Sequence, residues 1–218
     1  MKEIRGIWFP DGDTHFVAQL AHNPLVDGRG TYQFRKYQAA LPHVSERRHA
    51  VDIGAHVGLW SRVMAIDFAK VTAFEPFAEH VACFERNIAA DHVKLHALAL
   101  AEKSGELRLA PAGGNSGNAA IGDEGEAVKA RTLDSFRLKD VDLVKIDVEG
   151  FEVPVILGGE KTLKRERPAI IVEQKPNGSA ERYGRKTLDA VDLLKSWGAE
   201  VVFEIGGDFL LVWRDGGK

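Results

Sequence analysis

The chain has 218 residues, with 29 Lys and Arg against 32 Asp and Glu, for a formal charge of −3. Hydrophobic residues make up 44% and charged residues 28%, which excludes wholesale disorder and disfavours a nucleic-acid grip built on bulk positive charge. The single cysteine, Cys83, excludes an intrachain disulfide framework or a cysteine-based zinc site and fits a reducing compartment.

The length suits one domain with a small cap. The first twenty residues carry Glu3, Asp11 and Asp13 and lack a long apolar run, so we expect no secretory signal. No stretch approaches the ~20 apolar residues of a membrane span. The expected location is the cytoplasm.

Residues 1–48 read as an N-terminal cap: an aromatic-rich start (Trp8, Phe9, Phe16), then a helix-like stretch over Tyr32–Leu41. Residues 49–218 read as the main domain, in which apolar runs alternate with helical segments. His49–Ile53 is the first strand. Leu59–Phe68 follows as a helix, with Leu59, Trp60, Val63 and Ile66 on its apolar face. Val71–Glu75 is a second strand and Ala78–Ala89 a second helix with Cys83 on its buried side. Val93–Leu98 is a third strand. Residues 105–131 form an insertion in which Gly105–Ala110 and Val128–Arg131 are expected to pair. Between them, residues 111–126 are expected to form a long loop, flexible by its glycine-rich composition at 113–118. Val141–Asp147 is a fourth strand, Val153–Leu163 a helix, Ala169–Glu173 a fifth strand and Thr187–Trp197 a helix. Val201–Ile205 and Phe209–Trp213 flank Gly206-Gly207-Asp208 as a hairpin, so the last strand must run antiparallel. The expected fold is α/β: a mostly parallel seven-stranded sheet with an antiparallel C-terminal hairpin. That arrangement resembles the class I methyltransferase (Rossmann-like) fold.

The sharpest local signal is Val51-Asp52-Ile53-Gly54-Ala55-His56-Val57-Gly58, a strand entering a glycine turn and then a helix. Gly54 permits the turn and close ligand approach, and Gly58 the passage into an electropositive helix start. His56 stands where a dinucleotide fingerprint has its second glycine, which argues against a pyrophosphate ligand. Asp52 would repel such a ligand but suit the amino group of a methionine-type cofactor, directly or through water. Glu75 ends the second strand about twenty residues after the turn, the spacing at which a carboxylate takes ribose hydroxyls. Leu98 and Ala99 are small apolar candidates for an adenine slot. Ala55 and Pro76, beside these residues, complete the candidate cofactor set.

In Lys145-Ile146-Asp147-Val148-Glu149-Gly150, period-two geometry puts Lys145 and Asp147 on one face. Asp147 closes the fourth strand, where open α/β sheets bind ligands. Glu149 reads equally as a helix cap or a site residue. Glu173 and Lys175 reach the same rim from the fifth strand.

These segments carry a family pattern. Val51–Ser61, Ala73–Pro76, Ala99–Gly105, Thr132–Phe136, Val141–Glu152 and Arg167–Glu173 resemble, in order, the FkbM family of S-adenosylmethionine-dependent methyltransferases. The resemblance implies S-adenosylmethionine as cofactor and O-methylation of a hydroxyl on a glycan or small metabolite. It assigns cofactor roles to Asp52, Gly54, Gly58 and Glu75 and an active-site role to Asp147. His56 departs from the pattern, which often has Asn there.

Methyl transfer to an alcohol calls for a general base. The candidates are Asp147, Glu173 and His15. A metal site is not expected, with a divalent ion shared by Asp147 and Glu173 as a minor option. The alternative substrate is an RNA ribose 2′-hydroxyl, served by Asp147, Lys175 and Glu204, with Arg47-Arg48 and Lys161–Arg167 touching phosphates. The expected partner is a small-molecule or glycan acceptor, with no membrane.

Overall fold

The apolar runs after residue 48 assemble into one seven-stranded sheet whose central strands are buried on both faces. The computed structural model describes residues 1–110, 120–122, 124–176 and 179–213. The N-terminal part holds a hairpin of β1 (Lys2–Ile4) and β2 (Ile7–Phe9), then helix α1 (His15–Ala21). A second small hairpin, β3 (Leu25–Val26) and β4 (Arg29–Gly30), leads to α2 (Phe34–Ala40). The main sheet begins with β5 (His49–Ile53), α3 (Leu59–Asp67), β6 (Lys70–Phe74), α4 (Ala78–Asn87) and β7 (Val93–His96). A side sheet follows, built from β8 (Ala99–Leu100), β9 (Gly105–Ala110), β10 (Ala120–Gly122) and β11 (Glu126–Arg131). The chain then returns through β12 (Val141–Ile146), α5 (Glu152–Gly158), α6 (Glu160–Glu166), β13 (Ala169–Glu173), α7 (Asp189–Ser196), β14 (Ala199–Ile205) and β15 (Asp208–Trp213).

The strand order is β14-β15-β13-β12-β5-β6-β7. Neighbours from β13 to β7 are parallel, and β15 runs antiparallel to both β13 and β14. The sheet is therefore mixed, with the reversal confined to the hairpin. Winding reverses between β5 and β12, which opens a crevice at their carboxyl ends. Alternate residues of β5 feed opposite layers. Val51 and Ile53 join the cluster with Val144, Ile146 and Ile170, whereas Ala50 joins Trp60, Val63 and Met64.

The N-terminal part shares these layers. Ile7, Phe9, Phe16 and Leu20 pack with Val57, Leu59 and Cys83. Asn87 clasps β2 to the glycine turn: it accepts from Trp8 N at 2.7 Å and donates to Trp8 O and Val57 O at 2.9 and 2.8 Å. The helix expected over Tyr32–Leu41 is Phe34–Ala40, entered through a left-handed Gln33.

Four expectations need correction. The helix over Val153–Leu163 is two helices broken at Gly159. The break lets α5 lie against the chain at Ala101, whose carbonyl would meet a Cβ at Gly158 at 2.0 Å. Ile66 is 54% exposed, and Met64 takes its place on the buried face of α3. Leu98 and Ala99 do not end the third strand. That strand stops at His96, and Ala99–Leu100 pair with β11 in the side sheet. Within the expected 111–126 loop, Ala120–Gly122 form a strand on β9. Residues 111–119 and 123, which include the glycine-rich stretch, lie outside the described residues. Among the described residues no helix is long and apolar enough to cross a membrane.

Candidate active site

Two cavities open at the carboxyl rim of the sheet. The walls of the first include Phe74, Glu75, Pro76, Leu98, Ala99 and Phe151. Those of the second include His15, Tyr32, Trp60, Lys145, Glu173 and Lys175. Gly54, His56, Asp147 and Glu149 belong to both walls.

The glycine turn between β5 and α3 is built from backbone approach. Gly54 has φ +74°, and a Cβ there would lie 1.9 Å from the Asp147 carbonyl oxygen. Glycine is therefore required where the ends of β5 and β12 touch. Gly58 has φ +90°, and a Cβ there would strike Phe84 and Ile88. Its bareness lets α3 close on α4, and it lines neither cavity. Ala55 is buried under the turn, its N–H held by Phe74 O at 3.0 Å, and it faces the second cavity.

Glu75 stands at the end of β6 with its carboxylate among donors. Oε2 accepts from His56 N at 2.9 Å, and Oε1 accepts from Phe77 N at 2.9 Å and pairs with His80 Nδ1 at 3.1 Å. The left-handed His56 aims its N–H at this carboxylate while its ring stacks on Phe16 and meets His80 edge-on. Loss of solvent, and then His80, hold the His56 imidazole well below its ordinary pKa, so the ring is neutral.

Lys145 is the hub beneath the turn. Its ammonium donates to Gly54 O at 2.9 Å and lies 3.6 Å from both Asp52 Oδ1 and Asp147 Oδ2. Burial works against this charge, but Asp147 and Asp52 more than offset it, and the pKa is raised. Asp52 is fully buried and lines neither cavity. It accepts from Ser61 Oγ at 2.6 Å, and burial pushes its pKa up against the pull of Lys145.

Three carboxylates, Asp147, Glu149 and Glu173, place oxygens within 4.8 Å of one another. This oxygen-rich set could accommodate a hard cation, and the same space could receive a cationic or hydroxyl-bearing ligand. Burial first, then Asp147, raise the Glu173 pKa against the ion pair it makes with Lys175. Behind it, the buried Asp208 pairs with Lys36. Glu149 does not cap the next helix. Phe151 holds the N-cap position, with no side-chain cap bond, and Glu152 at the helix start ties down the turn before it, its Oε1 accepting from Val148 N at 3.2 Å and Gly150 N at 2.9 Å.

The structure thus gathers Asp147, Glu173, Lys175 and His15 around one cavity. His15 begins α1 instead of sitting in a turn, with its ring edge against Phe16. Glu204 is elsewhere: exposed, it accepts from Gly207 N at 2.6 Å and closes the hairpin turn. Sequence reading gave Lys36, Tyr32 and Asp208 no role in the site. Asp208 was reachable from the hairpin register, which sets it opposite Glu173. Nothing local marks Lys36 or Tyr32.

The first cavity fits a nucleoside cofactor. Its apolar side chains could hold the faces of a base, and Glu75 in its wall is a carboxylate that could accept from hydroxyls. Strand order, glycine turn and strand-end acid together define the class I methyltransferase fold. Within it the chain belongs to one family: the model of the methyltransferase FkbM domain matches residues 52–201. S-adenosylmethionine is the cofactor of this methyltransferase domain.

Two solved structures with TM-scores of 0.50 share the fold. The FkbM methyltransferase from Methylobacillus flagellatus KT is 17% identical with a TM-score of 0.50, over 75% of this chain and 42% of its own. The chain thus spans less than half the length of that relative. Precorrin 8w decarboxylase from Methanobacterium thermoautotrophicum is 16% identical with a TM-score of 0.50, over 94% of this chain and 93% of its own. A Streptococcus mutans protein solved in complex with SAH is 13% identical with a TM-score of 0.49, over 82% of this chain and 94% of its own. No curated protein matches this chain.

Proposed function

We propose that this domain transfers a methyl group from S-adenosylmethionine to a hydroxyl of a glycan or small metabolite. The reading places the cofactor in the first cavity and the acceptor in the second. The observation that carries it is the shared wall of the two cavities at Gly54, His56, Asp147 and Glu149. A group held on one side can be presented there to a group held on the other.

Bound in that cavity, the cofactor supplies a methyl group already activated on a sulfonium. The protein's work is alignment, exclusion of water and management of one proton. Glu75 takes the ribose hydroxyls, while Pro76, Leu98 and Ala99 flank the adenine. Gly54, Ala55 and His56 present the turn. Asp52 and Gly58 act from behind it, Asp52 by fixing Lys145 and Gly58 by seating α3. Lys145 in turn orients Asp147 at the shared wall. His15, Tyr32, Glu173 and Lys175 surround the acceptor. Residues 1–48 serve as a cap over residues 49–218 through α1 and Tyr32.

Two observations weigh against a ribose acceptor in RNA. Glu204, the third member of that arrangement, is engaged in the hairpin turn. Four residues of the basic runs are already partnered: Arg47 with Asp67, Arg48 with Asp140 and Asp142, Lys164 with Glu160, and Arg165 with Glu166.

The test is labelled-methyl transfer from S-adenosylmethionine into a fractionated cell extract, with and without nuclease. Nuclease-resistant label running with glycans or small molecules supports this reading. Label lost to nuclease replaces it with the RNA reading. Asp147→Ala should abolish labelling in a protein that still folds. Wild-type labelling by that variant would overturn the placement of Asp147.

A further inference from the structure

Resting on the methyltransferase reading, four side chains compete to be the base: Asp147, Glu173, His15 and Glu149. The first two are committed to cations, Asp147 to Lys145 at 3.6 Å and Glu173 to Lys175. His15 lines only the acceptor cavity. Glu149 lines both cavities, and its carboxylate has no hydrogen-bond partner among the described residues. It is the free acceptor at the point where the cavities meet.

The backbone holds it there. Glu149 and Gly150 are both left-handed, at φ +54° and +100°. The amides on either side, Val148 and Gly150, both donate to Glu152 Oε1, whose other oxygen accepts from Gln174 Nε2 at 3.1 Å. A Cβ at Gly150 would lie 2.1 Å from Ser179 O, so this turn is pinned against the chain that follows β13. A non-glycine residue is held in a left-handed conformation only where its surroundings over-determine it, and such residues cluster at active sites.

We propose that Glu149 is the general base that takes the acceptor's hydroxyl proton. As the acceptor oxygen bonds to the methyl carbon, the carbon–sulfur bond breaks and its electron pair stays on sulfur, which loses its positive charge. The hydroxyl proton passes to a Glu149 oxygen, and solvent removes it after product leaves. No further reactant is needed. The charged groups facing Glu149 are Asp147, Glu173, Glu152, Lys175 and Arg182. Burial, then Asp147, push its carboxyl up to about 7, which suits a base working near neutrality.

The experiment measures label transfer into the extract fraction that responds to the wild type, across pH values on both sides of about 7. Glu149→Gln and Glu149→Asp are compared, with S-adenosylhomocysteine binding followed by calorimetry. The wild-type rate should rise with pH through about 7. Glu149→Gln should bind S-adenosylhomocysteine within a few fold of wild type, lose roughly 10²–10⁴-fold in rate, and lose the rise. Glu149→Asp should keep the rise at a reduced rate. A Glu149→Gln protein that binds S-adenosylhomocysteine and transfers label at half the wild-type rate or more overturns the proposal. So does loss of that binding in both variants, because Glu149 would then serve the fold or the cofactor. A wild type that transfers no label refutes the methyltransferase reading itself.

Discussion

The ammonium of Lys145 and the carboxylate of Asp52 stand 3.6 Å apart as direct neighbours across β12 and β5, both buried. Lys145 is the main compensation for the solvent Asp52 has lost, while Lys145 itself is held by Asp147 first and Asp52 second. Lys145 also holds Gly54 O and faces Asp147, so one buried cation ties the glycine turn to the end of β12.

Removing one partner strands the other. Lys145→Met should cost about 3–5 kcal/mol, measured by urea unfolding, because Asp52 remains as an uncompensated buried charge. Adding Asp52→Asn should restore at least half of that loss. A Lys145→Met protein as stable as the wild type would mean that Asp52 is neutral in the fold.

Glu75→Gln tests the cofactor end. The amide keeps the shape of the side chain but loses the charge that His56 N, Phe77 N and His80 surround. A charge-assisted hydrogen bond is worth about 1.5–3 kcal/mol, so S-adenosylhomocysteine should bind roughly 10–100-fold more weakly by calorimetry. Unaltered affinity would place the ribose elsewhere.

Glu152 gives a stability signature in pH. Burial pushes its carboxyl up to about 7, against an ordinary 4.5. The folded state therefore keeps a proton that the unfolded chain has released. That stabilisation is complete below about pH 4.5 and is lost as pH rises to about 7. Across that window the wild type should lose about 3 kcal/mol relative to Glu152→Gln, read as the difference in slope of unfolding free energy against pH. Parallel slopes would show that Glu152 carries no bound proton.

Cys83 should be inert. It is fully buried on α4, and burial pushes its thiol up to about 11. Native protein should resist thiol reagents at about pH 8 and label only on unfolding. Rapid labelling of the native chain would mean that α4 opens readily.

Much of the architecture was legible because it repeats. Short apolar runs, continuous because both faces of the sheet are covered, marked β5 and β13 to the residue. The Gly206-Gly207-Asp208 turn marked the antiparallel end of the sheet. Legibility failed where tertiary contact overrode local pattern. The two glycines at the helix break, Gly158 and Gly159, lie against Ala101 and Leu133, contacts distant in sequence. Ile66 fits the helical period yet faces outward.

The site divides the same way. The sequence by itself determined which chemical groups reach the carboxyl rim: Glu75, Asp147 and Glu173 each close a strand, or follow its last residue, and strand ends in a parallel sheet share one edge. Only the tertiary structure decided which of them are free to act. Asp52 looks like a ligand residue in its motif, but the pairing of β5 with β12 puts Lys145 beside it and seals both from solvent. Glu173 is drawn to Lys175, and Asp208 to a lysine 172 residues away. Buried charges must find partners, and those partners are chosen by proximity in space, which no local motif encodes.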